Sequence, residues 1–481
     1  MVQVEGGLIM TEIKARSLTG ELVTLSDERL ETLQTQIRGE VIGTDHAQYD
    51  DTRQIWNAMI DRHPALIIRC TGTADVVQAV RFAREQNLLI SVRGAGHNIA
   101  GKSLCDEAVL IDLSAINYVR ADPEQGVLIA GPGATLGDVD HESQQYGLAV
   151  PVGINSTTGV GGLTLGGGFG WISRSHGLSI DNLLSAEVVT AAGERLKCDA
   201  SHHADLFWAI RGGGGNFGIV TSFEFRMHPV GPMVMSGPAI YPFDQAFSVL
   251  QAYRAFCEES PDELTTWAVI RDAPPLPFLD AQYHGQRVLI IVALYNGPMD
   301  EGEKVIAPLR RLGQPIADGF APHPFAAFQQ AFDPLLTPGS RNYWKSHNFA
   351  ALGDELIETL VGYGGKLPSS QSEIFIAQLG GAINRVASDA TAYPHRDVEF
   401  VMNVHTRWDD THQDRDCIGW AREFFDATKS FATGGVYVNF ISEDEERVDG
   451  AYGDNYARLA EVKSAYDPDN FFRVNQNIRP G

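Results

Sequence analysis

Long apolar runs are missing from this chain, and positively charged residues are scarce. No stretch of the 481 residues approaches the ~20 apolar residues that a membrane-spanning helix needs. Lysine and arginine number 37 against 61 aspartate and glutamate residues, which gives a formal net charge of −24. A surface of that sign repels the phosphates of nucleic acids and of anionic lipids. We therefore expect a small-molecule substrate, neither nucleic acid nor membrane as a partner, and a monomer or homodimer.

Cysteine is also scarce. The five cysteines stand at positions 70, 105, 198, 257 and 417, and no two of them are spaced as Cys-x-x-Cys. This pattern excludes a dense disulfide scaffold and a structural zinc site. Scattered thiols are typical of a reducing compartment, and the N-terminus shows no secretory signal pattern. The predicted location is the cytoplasm.

Histidine does not form a metal-binding pattern either. His202 and His203 are adjacent, and His405 and His412 lie in another segment, but no carboxylate or further histidine stands at ligand spacing. The chain also has neither a Gly-x-Ser-x-Gly elbow nor a P-loop. No metal site is expected.

Glycine, in contrast, is concentrated in one region. Of the 49 glycines, many fall between Gly94 and Gly218, in the segments RGAGHNIAG, GVGGLTLGGGFG and RGGGGNFG. Repeated glycine indicates backbone with positive φ, or backbone that another group approaches closely. Apolar segments between these loops predict strands, and a helix is predicted from Thr73, as its N-cap, to Glu85. The first half therefore predicts mixed α and β structure built around a large ligand.

The pattern changes after about residue 229, where the glycine clusters stop. Long strands are predicted for VLIIVALYNG, EIFIAQLGG, FVMNVHTRW and GGVYVNFIS, and helices for AFSVLQAYRAFCEE and IGWAREFFDATKS. Such a mixture favours one sheet covered by helices. The fold class expected for the chain is α+β.

Residues 213–218, GGGNFG, have the Gly-x-Gly-x-x-Gly spacing of a dinucleotide-binding turn. That turn needs a strand before it and a helix after it. Here the order is reversed, because ADLFWAIR before it predicts a helix capped by Asp205 and GIVTSFEF after it predicts a strand. A Rossmann domain is therefore not expected.

His97 lies inside the glycine-rich loop RGAGHNIAG, directly after a predicted strand. Successive backbone N–H groups in such a loop can bind a pyrophosphate. The histidine is either a hydrogen-bonded loop residue or a functional one. Residues 153–183 add nine glycines within 31 positions, which indicates a large planar ligand met by backbone amides.

Four segments in this order carry a resemblance: RGAGHNIAG, GVGGLTLGGGFGWISRSHGLSIDNL, DLFWAIRGGGGNFGIVTSFEF and YDPDNFFRVNQNI. Together they resemble the berberine bridge enzyme-like branch of the vanillyl-alcohol oxidase/p-cresol methylhydroxylase (VAO/PCMH) flavoproteins. Within this branch, the sequence most resembles the bacterial 6-hydroxy-D-nicotine oxidase-like and aclacinomycin oxidoreductase-like members. The resemblance implies two domains: a PCMH-type FAD-binding domain at 25–230 plus 455–481, and a substrate-binding domain at 231–454 with an antiparallel sheet covered by helices.

The resemblance also implies how FAD is held. It implies a covalent bond between the 8α-methyl group of the flavin and His97. By the same carry-over, the cofactor-binding residues are Arg93, Gly94, Ala95, Gly96, His97, Asn98, Pro151, Gly153, Thr158, Gly159, Gly162, Gly166, Gly167, Gly168, Gly170, Gly218, Ile219, Val220, Asn475 and Asn477.

Two departures from the family pattern bear on the chemistry. Many relatives form a second flavin link from a cysteine at the position of Asn155, so no second link is expected here. Many relatives also carry Asn-Tyr, with the tyrosine as general base, where this chain has Asn439-Phe440. Phenylalanine cannot accept a proton. Either another group such as His405 accepts it, or the substrate needs no base, which favours amines and phenolic or enolic compounds over simple sugars.

The implied function is that of an FAD-dependent oxidase. It would pass a hydride from a small or medium organic substrate (an amine, a phenolic or enolic compound, or an alcohol) to flavin N5, with reoxidation by O₂ giving H₂O₂. The candidate catalytic residues are Gln378, Asn403, His405, Tyr437 and Asn439. Asn403 and His405 share one face of a strand, although hydrogen-bonded sheet residues are an equal interpretation. Flavin-dependent oxygenation or oxidative rearrangement in secondary metabolism, a dehydrogenase that avoids O₂, and a flavin-binding protein without turnover stay open.

Overall fold

The computed structural model describes residues 13–442 and 448–481. Its strands form two groups along the chain. The first group is β1 (Lys14–Arg16), β2 (Leu22–Thr24), β3 (Glu40–Gly43), β4 (Leu66–Arg69), β5 (Ile90–Arg93), β6 (Val109–Asp112), β7 (Val119–Asp122), β8 (Val127–Ala130), β9 (Leu148–Ala149), β10 (Leu183–Val189), β11 (Arg195–Asp199), β12 (Ile219–Arg226) and β13 (His228–Pro229). The second group is β14 (Met233–Pro242), β15 (Leu264–Asp272), β16 (Arg287–Tyr295), β17 (Ala317–Asp318), β18 (Ala321–Pro324), β19 (Arg341–Phe349), β20 (Glu373–Gln378) and β21 (Phe400–Trp408).

The α-helices lie between and beside these strands. They are α1 (Asp27–Gln36), α2 (Tyr49–Arg53), α3 (Thr73–Glu85), α4 (Leu136–Ser143), α5 (Val160–Leu165), α6 (Ser173–His176), α7 (Ala204–Ile210), α8 (Ala246–Glu259), α9 (Met299–Ile306), α10 (Phe325–Gln329), α11 (Asp354–Gly364), α12 (Asp414–Thr428), α13 (Val448–Tyr452) and α14 (Tyr456–Tyr466). In the part of the chain that the structure describes, none of the helices has the length and apolarity to cross a membrane.

The first strand group forms small sheets that carry the glycine-rich loops. One sheet has the order β3-β4-β6-β5, in which β6 pairs in parallel with both β4 and β5. Another has the order β11-β10-β12-β8-β7 and is antiparallel. Helix α3 packs on this region through buried residues that include Val76, Val80 and Ala83. Its N-cap is Gly72; the prediction of Thr73 as the cap is wrong by one residue, because Thr73 already has helical geometry.

The second strand group forms one antiparallel sheet of eight strands. Its order is β17-β14-β16-β15-β20-β21-β19, and β18 also pairs with β14. Alternation along each strand divides the side chains between two faces. Ile270, Ile376 and Met402 pack with the residues of α8, α11 and α12 in one core cluster, while Trp267 and Phe375 belong to another. The predicted antiparallel sheet covered by helices is therefore confirmed, on one face.

The strand prediction for GGVYVNFIS is wrong. Val438–Phe440 forms a short 3₁₀ turn. Val436, Tyr437 and Ile441 are buried, but none of them belongs to a strand. Three long strands, β14, β15 and β19, were not predicted, although β15 and β19 contribute directly to the candidate site.

The C-terminal tail packs against the glycine-rich segment 213–218. The amino group of Lys463, fully buried, donates to the carbonyl oxygen of Asn216 at 2.7 Å and to the carboxylate of Asp467 at 2.6 Å. The side-chain oxygen of Asn216 accepts the N–H of Ile478 at 2.9 Å. Segment 213–218 follows α7 and precedes β12, so the reversed order is confirmed. Asp205 lies inside α7, however, and the cap position belongs to His203.

Candidate active site

A cavity of about 610 Å³ is lined by residues from both strand groups. One part of its wall consists of residues within 90–98, 158–166, 214–220 and 474–476; we call this the glycine side. The other part consists of side chains from β15, β16, β20 and β21 together with aromatic residues of the adjoining loops; we call this the sheet side. The fold thus brings the glycine loops and the large sheet to one cavity.

The glycine side offers open space and polar atoms without partners. A Cβ atom added at Gly162 or Gly215 would meet no atom within 4 Å. Among the described residues, the hydroxyls of Ser91 and Ser103 and the side-chain oxygen of Asn475 are buried without a hydrogen-bond partner. Buried polar groups are normally hydrogen-bonded. These atoms fit a polar ligand that lies along the glycine backbone, as FAD would.

Not every glycine of residues 153–183 faces the ligand space. Gly168 and Gly170 do not line the cavity, and an added Cβ would collide with Ser179 at Gly168 and with the backbone of Val152 at Gly170. These glycines are needed because protein groups approach them closely. The expectation that the whole run meets a ligand is therefore too broad.

His97 lies at the wall of the cavity and stacks on Trp56, with ring centroids 5.3 Å apart. Burial lowers the pKa of His97 to about 4. The imidazole is therefore neutral at physiological pH and carries one nitrogen lone pair.

Hydrogen bonds decide which nitrogen of His97 holds the proton. The hydroxyl of Thr157 donates to the side-chain oxygen of Asn155 at 2.7 Å and lies 3.0 Å from Nε2 of His97. Since a hydroxyl has one hydrogen, Thr157 accepts from Nε2–H. The lone pair is then on Nδ1, which lies 3.4 Å from the hydroxyl of Thr158. Asn155 thereby orients His97 through Thr157.

The sheet side is an aromatic wall. Trp267 stacks on Trp171 at 4.6 Å and on Phe375 at 5.3 Å between ring centroids. Phe440 makes edge contacts with Phe375 and with Trp344. Stacked and edge-on rings present flat apolar surfaces, so this side suits a planar, mainly apolar molecule.

One polar row crosses the aromatic wall. Arg271, Glu373 and His405 are direct neighbours on β15, β20 and β21. Glu373 accepts from Nη1 of Arg271 at 2.7 Å and lies 3.2 Å from Nδ1 of His405. Burial would raise the pKa of Glu373, but Arg271, His405 and Arg407 together lower it to about 2. The carboxylate is ionised.

The candidate His405 has both ring nitrogens turned toward the protein. Nδ1 faces Glu373, and Nε2 lies 3.2 Å from the side-chain oxygen of Asn342. Burial lowers the pKa of His405, against the hydrogen bond and charge of Glu373. His405 lines the cavity, but neither nitrogen is free to face it.

The other catalytic candidates divide into two pairs. Tyr437 and Asn439 line the cavity and bind each other at 3.0 Å. Gln378 does not line it, because it points to the helix-covered face and bonds to Thr266. Asn403 does not line it either, and both polar atoms of its buried amide are without a partner among the described residues.

The cofactor-binding candidates divide in the same way. Those that line the cavity are Gly94, Ala95, Gly96, His97, Asn98, Gly153, Thr158, Gly159, Gly162, Gly166, Gly218, Ile219, Val220 and Asn475. Those that do not are Arg93, Pro151, Gly167, Gly168, Gly170 and Asn477. The guanidinium of Arg93 is held by Asp112 at 2.8 Å and by backbone carbonyls, so it supports the loop from behind.

Several lining residues were missed by the sequence reasoning. Ser91 and Lys102 flank the loop that contains His97, and their position beside it was an available signal. Arg271 and Glu373 are charged residues on strands whose other cavity-lining residues, Trp267, Val269 and Phe375, are apolar. Such residues are seldom buried unless they are paired, so they too carried a signal.

Comparisons with known proteins agree with this geometry. An FAD binding domain matches residues 64–199, and a berberine and berberine-like domain matches residues 436–479. An FAD-linked oxidoreductase of Bacillus subtilis is 30% identical over 459 residues, covering 93% of this chain and 98% of the relative.

Solved structures share the whole fold. The crystal structure of 6-hydroxy-D-nicotine oxidase from Arthrobacter nicotinovorans has a TM-score of 0.82 and 28% identity, covering 92% of this chain and 98% of that one. Berberine bridge enzyme from Eschscholzia californica has a TM-score of 0.83 at 22% identity, covering 94% of this chain and 99% of that one. The architecture is thus the two-domain VAO/PCMH fold.

Proposed function

Since the chain belongs to the berberine bridge enzyme-like FAD-linked oxidoreductases, we propose that it is an oxidase with FAD bound covalently through His97 and that it oxidises a planar aromatic substrate. The observation that carries this proposal is the placement of a neutral, oriented His97 between the glycine side and the sheet side. When bound, FAD supplies a two-electron acceptor that can pass its electrons to O₂.

The glycine side supports the binding of FAD. Gly162 and Gly215 leave room for a ligand against the backbone. Ser91, Ser103 and Asn475 have unpaired polar atoms, and the amino group of Lys102, which lines the cavity, has no partner among the described residues. Hydroxyl, amide and ammonium groups suit a ribityl chain and a pyrophosphate.

The covalent bond is supported by the state of His97. A lone pair on Nδ1 can attack an electrophilic carbon, and the low pKa keeps that lone pair free of a proton. Attachment would replace one hydrogen of the 8α-methyl group and the imidazole N–H hydrogen by an N–C bond, and O₂ as the oxidant would take up both hydrogens and two electrons as H₂O₂. Asn155 carries no thiol and cannot form a second bond.

Neither His405 nor Tyr437 offers a general base on the sheet side. The nitrogens of His405 are occupied, and Tyr437 keeps its proton because burial raises its pKa to about 12, against hydrogen bonds from Asn439 and the N–H of Gly168. Amides such as Asn439 are not bases. The state of these three candidates therefore favours a substrate that needs no base from them, such as an amine or a phenolic or enolic compound. 6-Hydroxy-D-nicotine oxidase is, by its name, an oxidase of a hydroxylated aromatic compound.

The same arrangement supports a division of the chain. We assign 25–230 and 455–481 to FAD binding and 231–454 to substrate binding. The cysteines at 70, 105, 198, 257 and 417 are all free thiols, which is consistent with the cytoplasm.

Acid precipitation tests the covalent bond. The purified protein should give a yellow pellet, and the peptide that contains His97 should carry the mass of FAD. The His97→Ala variant should bind FAD when folded and release it on denaturation. A colourless wild-type pellet, or flavin attached at any cysteine, would contradict the proposal.

Peroxide yield tests the oxidase. Aromatic amines, phenols and alcohols are offered without oxygen, and bleaching of the flavin identifies those that reduce it. With air restored, an oxidase should give one H₂O₂ for each substrate oxidised. A much lower yield would indicate oxygenation or an acceptor other than O₂.

A further inference from the structure

The sheet side presents a buried arginine to the cavity, although the protein as a whole carries −24. Glu373 is the one acidic residue that lines the cavity within the described ranges. Nη1 of Arg271 neutralises it at 2.7 Å. Arg407 stands on the neighbouring strand, paired in register with Asn342, and its charge also acts on Glu373. Arg407 does not line the cavity and is also acted on by the charge of Asp409, so the guanidinium that faces the cavity is that of Arg271.

One nitrogen of the Arg271 guanidinium makes no hydrogen bond to the described residues. The residue is 8% exposed and lines the cavity. Its Nη1 binds Glu373, and its Nε donates to the carbonyl of Asp272 at 3.2 Å. Nη2 has no hydrogen-bond partner among the described residues. A buried guanidinium with an unused amino group is a donor for an oxygen that carries negative charge.

We propose that Arg271 recognises the substrate by binding the oxyanion of a phenolic or enolic compound, whose aromatic body lies against Trp267 and Phe375. Binding selects the ionised form, and the hydroxyl proton is released to water. This selection removes the need for a general base, because the charged oxygen already favours loss of a hydride. The inference rests on the proposed function and narrows its substrate class, since an ammonium group would be repelled by the same guanidinium.

The probe for this inference is 7-hydroxycoumarin, a planar phenol whose neutral and ionised forms absorb at different wavelengths. Its ionisation is followed against pH, free and bound to the flavin-containing protein. We expect the pKa of the bound phenol to fall by about one unit or more, which corresponds to about tenfold tighter binding of the phenolate than of the phenol. 7-Methoxycoumarin, which cannot ionise, serves as the neutral ligand.

The Arg271→Met variant should lose the pKa shift of the probe and change the affinity for 7-methoxycoumarin by less than about twofold, a difference under 0.5 kcal/mol. The double variant Arg271→Met with Glu373→Gln should give the same result as Arg271→Met. It removes the guanidinium without leaving a buried carboxylate unpaired. Arg287→Met is the matched control, because Arg287 is paired with Asp272 at 2.8 Å on the same sheet but does not line the cavity. It should keep the shift.

An unshifted or raised pKa of the bound probe, failure of the probe to bind, or a shift that survives in both Arg271 variants would overturn the inference. Calorimetry measures probe binding whether or not flavin is present. A protein without acid-stable flavin contradicts the proposed function, whereas a yellow protein with an unshifted probe contradicts only the role of Arg271.

Discussion

The glycine side and the sheet side of the cavity are built on opposite plans. The glycine side uses backbone: loops from 90–98, 158–166 and 214–220 present small residues and a few hydroxyl and amide groups. The sheet side uses large side chains, with Trp267, Phe375 and Phe440 around one row of charge. The surface that we propose for FAD is formed by local segments, whereas the surface that we propose for the substrate is assembled from strands distant in sequence. Changes on the first side should affect cofactor binding, and changes on the second side substrate selection.

The largest effect is expected at Lys463, which holds the C-terminal tail against the glycine side. Lys463→Met leaves the carboxylate of Asp467 buried without its cation, and breaking such a pair costs about 3–5 kcal/mol. The free energy of unfolding, measured in denaturant, should fall by that amount, and flavin content should fall with it. Lys429→Met, at an exposed position after α12, should change neither. Unchanged stability with full flavin content would show that the tail does not support the glycine side.

The next largest effect concerns Asp140, which joins the two halves through Gln329 of α10 at 3.1 Å. Burial raises the pKa of Asp140 to about 7, against the hydrogen bond from Gln329. The folded protein therefore binds this proton more tightly than the unfolded chain does. The stability contributed is complete below about pH 4 and is lost as pH rises to about 7, by as much as about 4 kcal/mol.

The Asp140→Asn variant checks this dependence. Its stability relative to the wild type should increase between about pH 4 and pH 7 and be constant above that range. Thermal unfolding of both proteins across this range gives the difference. A difference that does not vary with pH would show that Asp140 is ionised throughout.

Gly162 provides the sharpest contrast between the two sides. Gly162→Leu places a side chain in open space of the cavity, so FAD binding should weaken by about a hundredfold, equivalent to ~2.7 kcal/mol. Gly362→Leu is the control, since it also lies in a helix with nothing within 4 Å of an added Cβ but outside the cavity. Flavin absorbance per protein is the measurement. Equal flavin content in both variants would place the cofactor elsewhere.

A smaller effect is expected for Thr157→Val, which removes the acceptor of Nε2–H of His97. Both tautomers of the ring then become available, and covalent attachment of FAD should slow by up to about tenfold, or ~1.4 kcal/mol. Thr157→Ser keeps the hydroxyl and should attach FAD at the wild-type rate. The fraction of flavin that precipitates with the protein is followed after FAD is added. A valine variant as fast as the serine variant would exclude this orientation of His97.

Local sequence determined much of the cofactor side. The loop around His97 and the α7–β12 context of segment 213–218 follow from glycine positions and from apolar periodicity, which act over a few residues. A sheet covered by helices was predicted for the same reason, because a strand such as β16 is a nearly continuous apolar run. Its antiparallel pairing was implied by the family resemblance.

Only the tertiary structure decided the sheet side and the roles of single polar residues. Arg271, Glu373 and His405 are neighbours through strand register across 134 positions of the chain, and no local pattern specifies that register. The same holds for Gln378, whose side-chain direction is set by the alternation of β20 and turns it to the helices. Asn155 could be recognised from the sequence as a lost attachment point, but its hydrogen bond to Thr157 depends on how the loop folds back on His97. Local propensity fixes segments; packing and register decide which side chains meet.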